Sequence, residues 1–456
     1  MTQKLPVTEK IGYACGDLAA NFVFQFMISL QVPFYVDVFG LPAAAAATMF
    51  FVIGIAVAFV NPIVGVIADR TSSKWGKFRP WLIWTALPFG IIGVLTFTTP
   101  DLSLGAKVVY AWVTYALLRI VYTANNVPYA SMNAVMTEDP DERNSISQYR
   151  QIAANSAGFI VQSLVIPLIA IFGHKADGTV DKVAGYEYTM GLLMIVAMAL
   201  FVVAFLSTKE RIQPDPKQKS SLKQDMADLI ANRPWAILFL VTLFYFAALC
   251  MRGNAMVAYC TLFQGDVNLF SWMNGFGLVS LIIGVTCSNW FSVRLGKRQL
   301  FLVSMALTAL LTGALNFIPP HSNTVVIGLE IVRQFSFGIS GPVLWSMMGD
   351  VADYGEWKTG RRASGTVTSA VVFALWVGLT IGQSLVGWVY AFYGYAAQAT
   401  TQTPEAVHGV VLTGGLYAGL LFLIAAALLV IYPLNREENN KIAAELAERR
   451  KKFASS

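Results

Sequence analysis

The sequence predicts an all-α integral membrane protein with twelve transmembrane helices. Hydrophobic residues make up 56% of the 456 residues and charged residues only 13%, whereas soluble domains contain about 25% charged residues. The mean hydropathy is +0.59. Long apolar runs recur along the chain, and a bilayer core of about 30 Å needs roughly 20 such residues per helix. The length of the runs argues against a barrel built from alternating strands of about 10 residues.

Twelve apolar spans separated by short polar loops account for nearly the whole chain. Spans 1 to 12 are predicted at 11–35, 43–68, 78–97, 106–136, 146–172, 186–206, 234–263, 269–293, 300–318, 324–348, 365–393 and 407–432. Several spans exceed the minimum length, so we expect helices that tilt or extend beyond the bilayer.

The basic residues of the loops predict the orientation of the chain. Seventeen Lys and Arg residues lie in or at the edges of loops that follow even-numbered spans, whereas loops after odd-numbered spans and their edges hold only Lys107, Lys175 and Lys182. By the positive-inside rule, the even-numbered loops and both termini are cytoplasmic. The net charge of +6 is therefore a signal of membrane topology and not of nucleic-acid binding.

A polar stretch at 207–233 divides the chain into two halves. Its lysines and prolines are typical of a linker on the cytoplasmic membrane surface. The predicted organisation is a six-helix half at 1–206, the linker at 207–233, a second six-helix half at 234–434 and a solvated helical tail at 435–456. A charge run such as that of the tail predicts no function by itself.

Cysteines and histidines offer no metal site or cofactor site. The four cysteines lie in or beside apolar spans without CxxC spacing, which predicts neither a disulfide nor a metal site; they are Cys15, Cys250, Cys260 and Cys287. The three histidines, His174, His321 and His408, are predicted in connecting loops. We therefore expect no histidine to relay protons within a span.

The two halves repeat one another. Arg119 precedes Pro128 by nine residues in span 4, and Arg333 precedes Pro342 by nine residues in span 10. Two parallel six-span repeats predict the architecture of the major facilitator transporters, which place the substrate near the bilayer midplane at the repeat interface.

Five motifs resemble the glycoside–pentoside–hexuronide cation symporters, the melibiose-permease branch of the major facilitators. They are IGYACGDLAANF (11–22), ADRTSSKWGKFRPW (68–81), YTANNVPYASM (122–132), SQYRQIAANSAG (147–158) and LWSMMGDVADYGEWKTGRRASG (344–365). The resemblance covers almost all of the chain. It implies inward transport of sugars, glycosides or sugar acids, usually with Na⁺, Li⁺ or H⁺, in the cytoplasmic (inner) membrane of a bacterium.

Span 4 carries a polar face, and the resemblance assigns substrate contacts to it and to neighbouring spans. Arg119, Tyr122, Asn126, Ala130 and Asn133 share one side of a helix, which requires water or a ligand. The resemblance implies sugar contacts at Tyr122, Asn126 and Arg150, and Asn21 stands where melibiose carriers place a sugar-binding carboxylate. The complete predicted substrate set is Asp17, Asn21, Gln25, Tyr122, Asn126, Arg150, Trp345 and Trp376.

Each candidate also has a structural interpretation. Gln25 and Gln383 equally suit hydrogen bonds between helices, and a tryptophan such as Trp376 equally suits packing. Arg119, Arg252, Glu330 and Arg333 are intramembrane charges that need partners, and Glu330 and Arg333 are close enough on a helix to pair with each other.

The expected cation site departs from the family pattern. The two span-2 carboxylates of melibiose carriers correspond here to Val57 and Asn61, while the span-4 hydroxyl is kept as Thr123. Asn61 and Thr123 alone are a thin ligand set for a hard cation. The open alternatives are H⁺ coupling through Asp17 or Glu330, Na⁺ coupling, and uncoupled facilitation.

Two cytoplasmic runs predict gating contacts. Acids and bases mix in 69–79 and 350–362, and we expect them to form salt bridges between the halves in one conformation only; the predicted gating residues are Asp69, Arg70, Asp350, Asp353 and Arg362. The alternative is that they act only as topology signals.

A lipid carrier of the same superfamily is the principal rival function. A membrane enzyme is disfavoured, because the loops are too short to house a catalytic site and contain no nucleophile motif or metal-ligand cluster. The expected partners are a small carbohydrate and the lipid bilayer, and the protein is expected to be a monomer without a cofactor.

Overall fold

The computed structural model describes residues 4–137, 140–211, 232–359, 364–399 and 401–454, and the regular structure of these residues is helical. The α-helices are α1 Val7–Ser29, α2 Gln31–Pro33, α3 Ala43–Arg70, α4 Arg79–Phe97, α5 Leu104–Met136, α6 Pro140–Phe159, α7 Val165–Phe172, α8 Lys182–Ser207, α9 Arg233–Ala258, α10 Asn268–Leu295, α11 Lys297–Ala314, α12 Asn323–Thr359, α13 Ser364–Phe392, α14 Pro404–Leu412, α15 Ala418–Val430 and α16 Arg436–Ala454. Short π-helical stretches occur at Phe34–Val38, Ile160–Leu164, Tyr259–Phe263 and Thr413–Tyr417.

Eleven helical stretches in the described part of the chain are long and apolar enough to cross a bilayer. They coincide with predicted spans 1 to 9, 11 and 12, which confirms the all-helical membrane class. The tenth predicted span lies in α12, a helix of 37 residues that carries the charged Glu330 and Arg333. These two charges lower the mean hydropathy of α12, which explains why the tenth predicted span is not among the eleven apolar stretches.

His408 corrects one expectation. It lies within α14 and not in a loop. Predicted span 12, 407–432, already includes His408, so its assignment to a loop is inconsistent with that span. The helix begins at Pro404, which suits the first helical turn, and the Thr403 hydroxyl accepts a hydrogen bond from the Ala406 N–H at 3.2 Å. A histidine is therefore present in a candidate span, Pro404–Val430.

The chain forms two compact units. The first comprises Met1–Lys217 with Val386–Ala406, and the second comprises Gln218–Leu385 with Val407–Ser456. The first unit thus includes the end of α13 and the segment that follows it. Most of the predicted linker, 212–231, lies outside the described residues.

In the first unit, α1 packs against α6 and α8, α4 packs against α5 and α8, and α3 packs against α5. Glu210, at the start of the predicted linker, anchors the beginning of α4. Its carboxylate accepts hydrogen bonds from the N–H groups of Lys77, Phe78 and Arg79 at 2.8, 2.7 and 2.7 Å. A carboxylate at a helix N-terminus satisfies donors that lack partners within the helix.

In the second unit, α10 and α12 approach closely enough for their backbones to touch. A Cβ atom at Gly284 would lie 2.3 Å from the Phe335 carbonyl oxygen, and one at Gly338 would lie 2.4 Å from the Leu281 carbonyl oxygen. The Ser288 hydroxyl donates to the Ile339 carbonyl at 2.8 Å across the same interface. Small residues and hydroxyl groups of this kind hold membrane helices together where no hydrophobic driving force exists.

Replacing Gly338 with alanine is expected to lower the free energy of unfolding by about 1–3 kcal/mol, because the new methyl group overlaps the Leu281 carbonyl oxygen. The measurement is the thermal unfolding midpoint of the detergent-solubilised protein. Gly341→Ala is the matched control on the same helix, since a Cβ there meets no atom within 4 Å. Equal midpoints for the two variants would contradict the tight α10–α12 contact.

The C-terminal tail is helical, as predicted, and largely solvent-exposed, but one face of the helix is buried. Ile442 and Leu446 of α16 are buried, and Glu445 accepts a hydrogen bond from the Trp357 indole N–H at 2.5 Å. Two apolar side chains one helical turn apart give α16 a face that packs on the second unit.

Candidate functional site

An ion pair between α1 and α6 forms the centre of the site in the first unit. The Arg150 Nε and Nη2 atoms lie 3.4 Å from Asp17 Oδ2 and Oδ1, respectively. The Asp17 side chain is 11% exposed and the Arg150 side chain 24% exposed. Charge-assisted pairs usually have shorter distances of about 2.7–2.9 Å, so this loose pair retains hydrogen-bonding capacity for a ligand.

Two tyrosines support the ion pair. The Tyr13 hydroxyl donates to the Tyr129 carbonyl and the Tyr129 hydroxyl donates to the Tyr13 carbonyl, both at 2.7 Å. Their rings stack with centroids 4.6 Å apart, and the Arg150 guanidinium carbon lies 5.8 Å from the Tyr13 ring centre and 5.1 Å from that of Tyr129. The rings attract the guanidinium, while the reciprocal hydrogen bonds fix α1 against α5.

The other predicted residues of span 1 have local partners. Asn21 donates to the Asp17 carbonyl at 2.8 Å, and the Gln25 Oε1 atom accepts from Gln162 Nε2 at 2.8 Å. Gln25 thus joins α1 to the π-helical stretch Ile160–Leu164, which favours its structural interpretation.

The adjacent asparagines of α5 have different environments. Asn125 is buried and donates to the Thr85 hydroxyl at 2.7 Å, which ties α5 to α4. Asn126 is half-buried, and Tyr122 is buried one turn before it. Asn126 therefore remains the better substrate candidate of the two asparagines.

The two residues of the predicted cation site lie on packed helices. Thr123 is buried on α5 and Asn61 is half-buried on α3, and α3 packs against α5. Within the described ranges, no group of three or more His, Cys, Asp or Glu side chains is arranged to hold a metal ion.

The predicted tryptophans of the second unit differ in burial. Trp376 of α13 is half-buried, whereas Trp345 of α12 is 46% exposed.

The second unit also buries a charged triad. The Arg333 Nε and Nη2 atoms donate hydrogen bonds to the Glu330 carboxylate at 2.9 and 2.7 Å, which confirms the predicted pairing within α12. Arg252 of α9 donates to the same carboxylate, a partner that the sequence did not reveal. Two guanidinium groups thus surround the buried Glu330 carboxylate and satisfy its charge. Arg119, the repeat counterpart of Arg333, is buried and donates to the Tyr115 hydroxyl at 3.1 Å.

The predicted gating residues are only partly described. Asp350 accepts hydrogen bonds from Lys297 Nζ at 2.7 and 2.9 Å and from Asn439 at 3.2 Å, and all three residues belong to the second unit. Arg70 is exposed at the end of α3, and Asp353 is half-buried in α12. The Asp69 side chain and Arg362 lie outside the described residues.

Comparison with known proteins identifies the family. The family model described as "MFS/sugar transport protein" matches residues 12–436. The chain belongs to this family of membrane transporters. The membership also agrees with the resemblance to the glycoside–pentoside–hexuronide symporters and makes the protein a transporter and not an enzyme.

Individual members of the family are similar along nearly their whole length. The inner membrane symporter YicJ of Escherichia coli is 34% identical over 97% of this chain and 95% of its own. The isoprimeverose transporter of Lactiplantibacillus pentosus is 33% identical over 96% of this chain and 91% of its own. These similarities place the protein in the bacterial inner membrane as a multi-pass transporter.

A solved structure supports the fold alone. The crystal structure of a D-xylose–proton symporter has a TM-score of 0.67 at 15% sequence identity and covers 94% of this chain and 98% of its own. The major facilitator fold is therefore shown.

Proposed function

We propose that the protein is a secondary transporter that moves a sugar, glycoside or sugar acid across the cytoplasmic membrane by alternating access. The observation that carries the proposal is the loose Asp17–Arg150 pair on the Tyr13–Tyr129 stack. A carboxylate accepts and a guanidinium donates, so together they match the vicinal hydroxyl groups of a sugar. The name of the similar isoprimeverose transporter supports this substrate class.

Further substrate contacts are proposed for predicted residues of α1, α5 and α13. We propose that Asn21, Tyr122 and Asn126 supply further hydrogen bonds to the substrate, and that Trp376 offers a stacking surface to an apolar sugar face. Trp345 is a weaker candidate because it is more exposed. Gln25 acts mainly through its hydrogen bond to Gln162.

The membrane topology is part of the proposal. Twelve transmembrane helices, with α12 as the tenth, and cytoplasmic termini are supported by the asymmetry of basic residues between loops. We further propose that the transporter works as a monomer in the lipid bilayer.

Coupling to H⁺ is the favoured mode. We propose Asp17 as the coupling residue, because its carboxylate has one guanidinium partner, whereas the Glu330 carboxylate has two. Na⁺ coupling at Asn61 and Thr123 lacks the negative charge that a hard cation prefers.

A ligand-induced thermal-shift screen tests the proposal. Purified protein is heated with monosaccharides, disaccharides and glucuronides, in Na⁺, in Li⁺ and in neither, at two pH values. We expect at least one sugar to raise the unfolding midpoint, with dependence on pH and not on Na⁺. Stabilisation by lysolipids and by no sugar would favour the lipid carrier.

Replacing Arg150 with lysine distinguishes neutral from acidic substrates. Lysine keeps the charge but loses the bidentate fork. If the substrate carries a carboxylate bound by Arg150, we expect the affinity for the acid to fall about tenfold or more and that for its neutral analogue to fall less. The measurement is equilibrium binding of a matched pair, such as a glucuronide and the corresponding glucoside. Equal losses for both sugars would argue against an anionic group at Arg150.

A further inference from the structure

The end of α13 and the residues after it pack against the opposite end of the chain. The return segment, residues 386–398, belongs to the first compact unit. A Cβ atom at Gly387 would lie 2.6 Å from the Ala43 carbonyl oxygen, so the two helix backbones touch. The rings of Trp388 and Phe51 lie 5.5 Å apart. The return segment therefore rests directly on the first turns of α3.

Polar contacts also join the return segment to the residues that precede α3. The Tyr395 hydroxyl donates to Asp37 Oδ1 at 2.7 Å, and the Gln398 Nε2 atom donates to the Val38 carbonyl at 2.8 Å. Gly40 has a φ of +86°, and the Gln398 side chain fills the space that a Cβ atom of residue 40 would occupy. Both loops follow odd-numbered spans, so both are predicted on the outer side of the membrane.

Asp37 is the charged residue among those that the return segment contacts before α3. Among the described residues, the titratable groups that interact electrostatically with it are Lys182 and Tyr186 of α8 and Tyr390 and Tyr395 of the return segment. Burial raises the pKa of Asp37 from 3.8 to about 6, although the Tyr395 hydrogen bond and the Lys182 charge oppose this rise. Desolvation of the carboxylate therefore outweighs its favourable contacts.

We propose that Asp37 is a proton-linked positioning residue. It takes up one proton from the outer solution when the return segment packs against residues 37–51, which is the seated form, and it releases the proton when the segment moves away, which is the released form. The protonated carboxyl group still accepts a hydrogen bond from Tyr395 through its carbonyl oxygen, while its charge is removed from a half-buried position. The proposal rests on the alternating-access function proposed above, because only a transport cycle requires the segment to leave.

The direction of the pH effect follows from linkage. A carboxyl group whose pKa is raised in the seated form binds its proton more tightly there than in water, so acid favours the seated form. The preference for seating is greatest below the pKa of the free carboxyl group and is lost as the pH rises above about 6. Between pH 5 and pH 8, the ratio of seated to released forms is expected to fall about tenfold.

Hydrogen–deuterium exchange of peptides that cover 386–399 measures this ratio in the full-length protein. After correction for the intrinsic exchange rate at each pH, protection in the wild type is expected to fall about tenfold from pH 5 to pH 8. In Asp37→Asn, which is neutral at both pH values, protection is expected to be independent of pH. Tyr395→Phe is the matched control: it loses one hydrogen bond and lowers protection, but it keeps the carboxyl group and hence the pH dependence.

The proposal is overturned if wild-type protection does not change with pH, or if Asp37→Asn keeps the same change. If Asp37→Asn does not fold, the wild type and Tyr395→Phe decide, since both must show the pH dependence. Hydrogen–deuterium exchange needs no substrate, so a failure of this proposal can be told apart from a failure of the proposed transport function. A pH-dependent segment in a protein that transports no sugar would refute only the proposed function.

Discussion

Replacing Glu330 with glutamine is expected to destabilise the protein by about 3–5 kcal/mol. The substitution removes the carboxylate shared by Arg252 and Arg333 and leaves two guanidinium groups buried without a counter-charge. A buried charge that loses its partner is among the most costly changes in a folded protein. We expect a lower thermal unfolding midpoint and a smaller yield of folded protein from membranes.

Two further variants show whether the loss comes from unpaired charge. Glu405→Gln changes an exposed acid in the first turn of α14, and its effect should be within about 0.5 kcal/mol. A triple variant that combines Arg252→Met, Glu330→Gln and Arg333→Met should regain much of the stability, because it leaves no charge to compensate. A Glu330→Gln protein as stable as the wild type would show that the triad is not paired in the folded protein.

Replacing Asp17 with asparagine is expected to lower the kcat/KM of transport by about 10- to 100-fold. The change removes the charged partner of Arg150 and takes a charged acceptor away from the sugar. The loss of one hydrogen bond to a charged group is worth about 1.5–3 kcal/mol, which corresponds to this range. A higher KM would indicate a lost substrate contact, whereas a lower kcat with the same KM would indicate a lost step in the cycle.

The control for this prediction is Asp101→Asn, which makes the same chemical change at an exposed position before α5. Transport by this variant should match the wild type. Unchanged transport by Asp17→Asn would show that the pair with Arg150 is structural and that the substrate binds elsewhere.

Local patterns carried most of what the sequence predicted correctly. The apolar spans depend only on composition along the chain, and the Glu330–Arg333 pair lies within one turn of one helix. The candidate substrate residues came from the family motifs. The motifs indicated Asp17 and Arg150 as candidates, but they could not indicate the contact between the two side chains. α16 was misjudged because its many charges concealed Ile442 and Leu446, which lie one turn apart on the buried face.

The features that the sequence did not reveal join residues far apart in the chain. Tyr13 and Tyr129 form their reciprocal hydrogen bonds with each other's backbone, and an aromatic residue in an apolar run otherwise suggests ordinary packing. Arg252 reaches Glu330 from a different helix, and Asp37 meets Tyr395 from nearly the other end of the chain. Only the packing of the helices determines such pairs. One signal was available for Tyr13, which precedes Asp17 by one helical turn.

Substrate counterflow in liposomes tests the central claim most directly. Purified protein is reconstituted into vesicles loaded with one unlabelled sugar, and the labelled sugar is added outside, for a panel of monosaccharides, disaccharides and glucuronides. We predict transient accumulation of at least one labelled sugar, which is strongly reduced in Asp17→Asn and retained in Asp101→Asn. Absence of counterflow for every sugar, with protein that still shows a cooperative unfolding transition, would contradict the assignment as a sugar carrier.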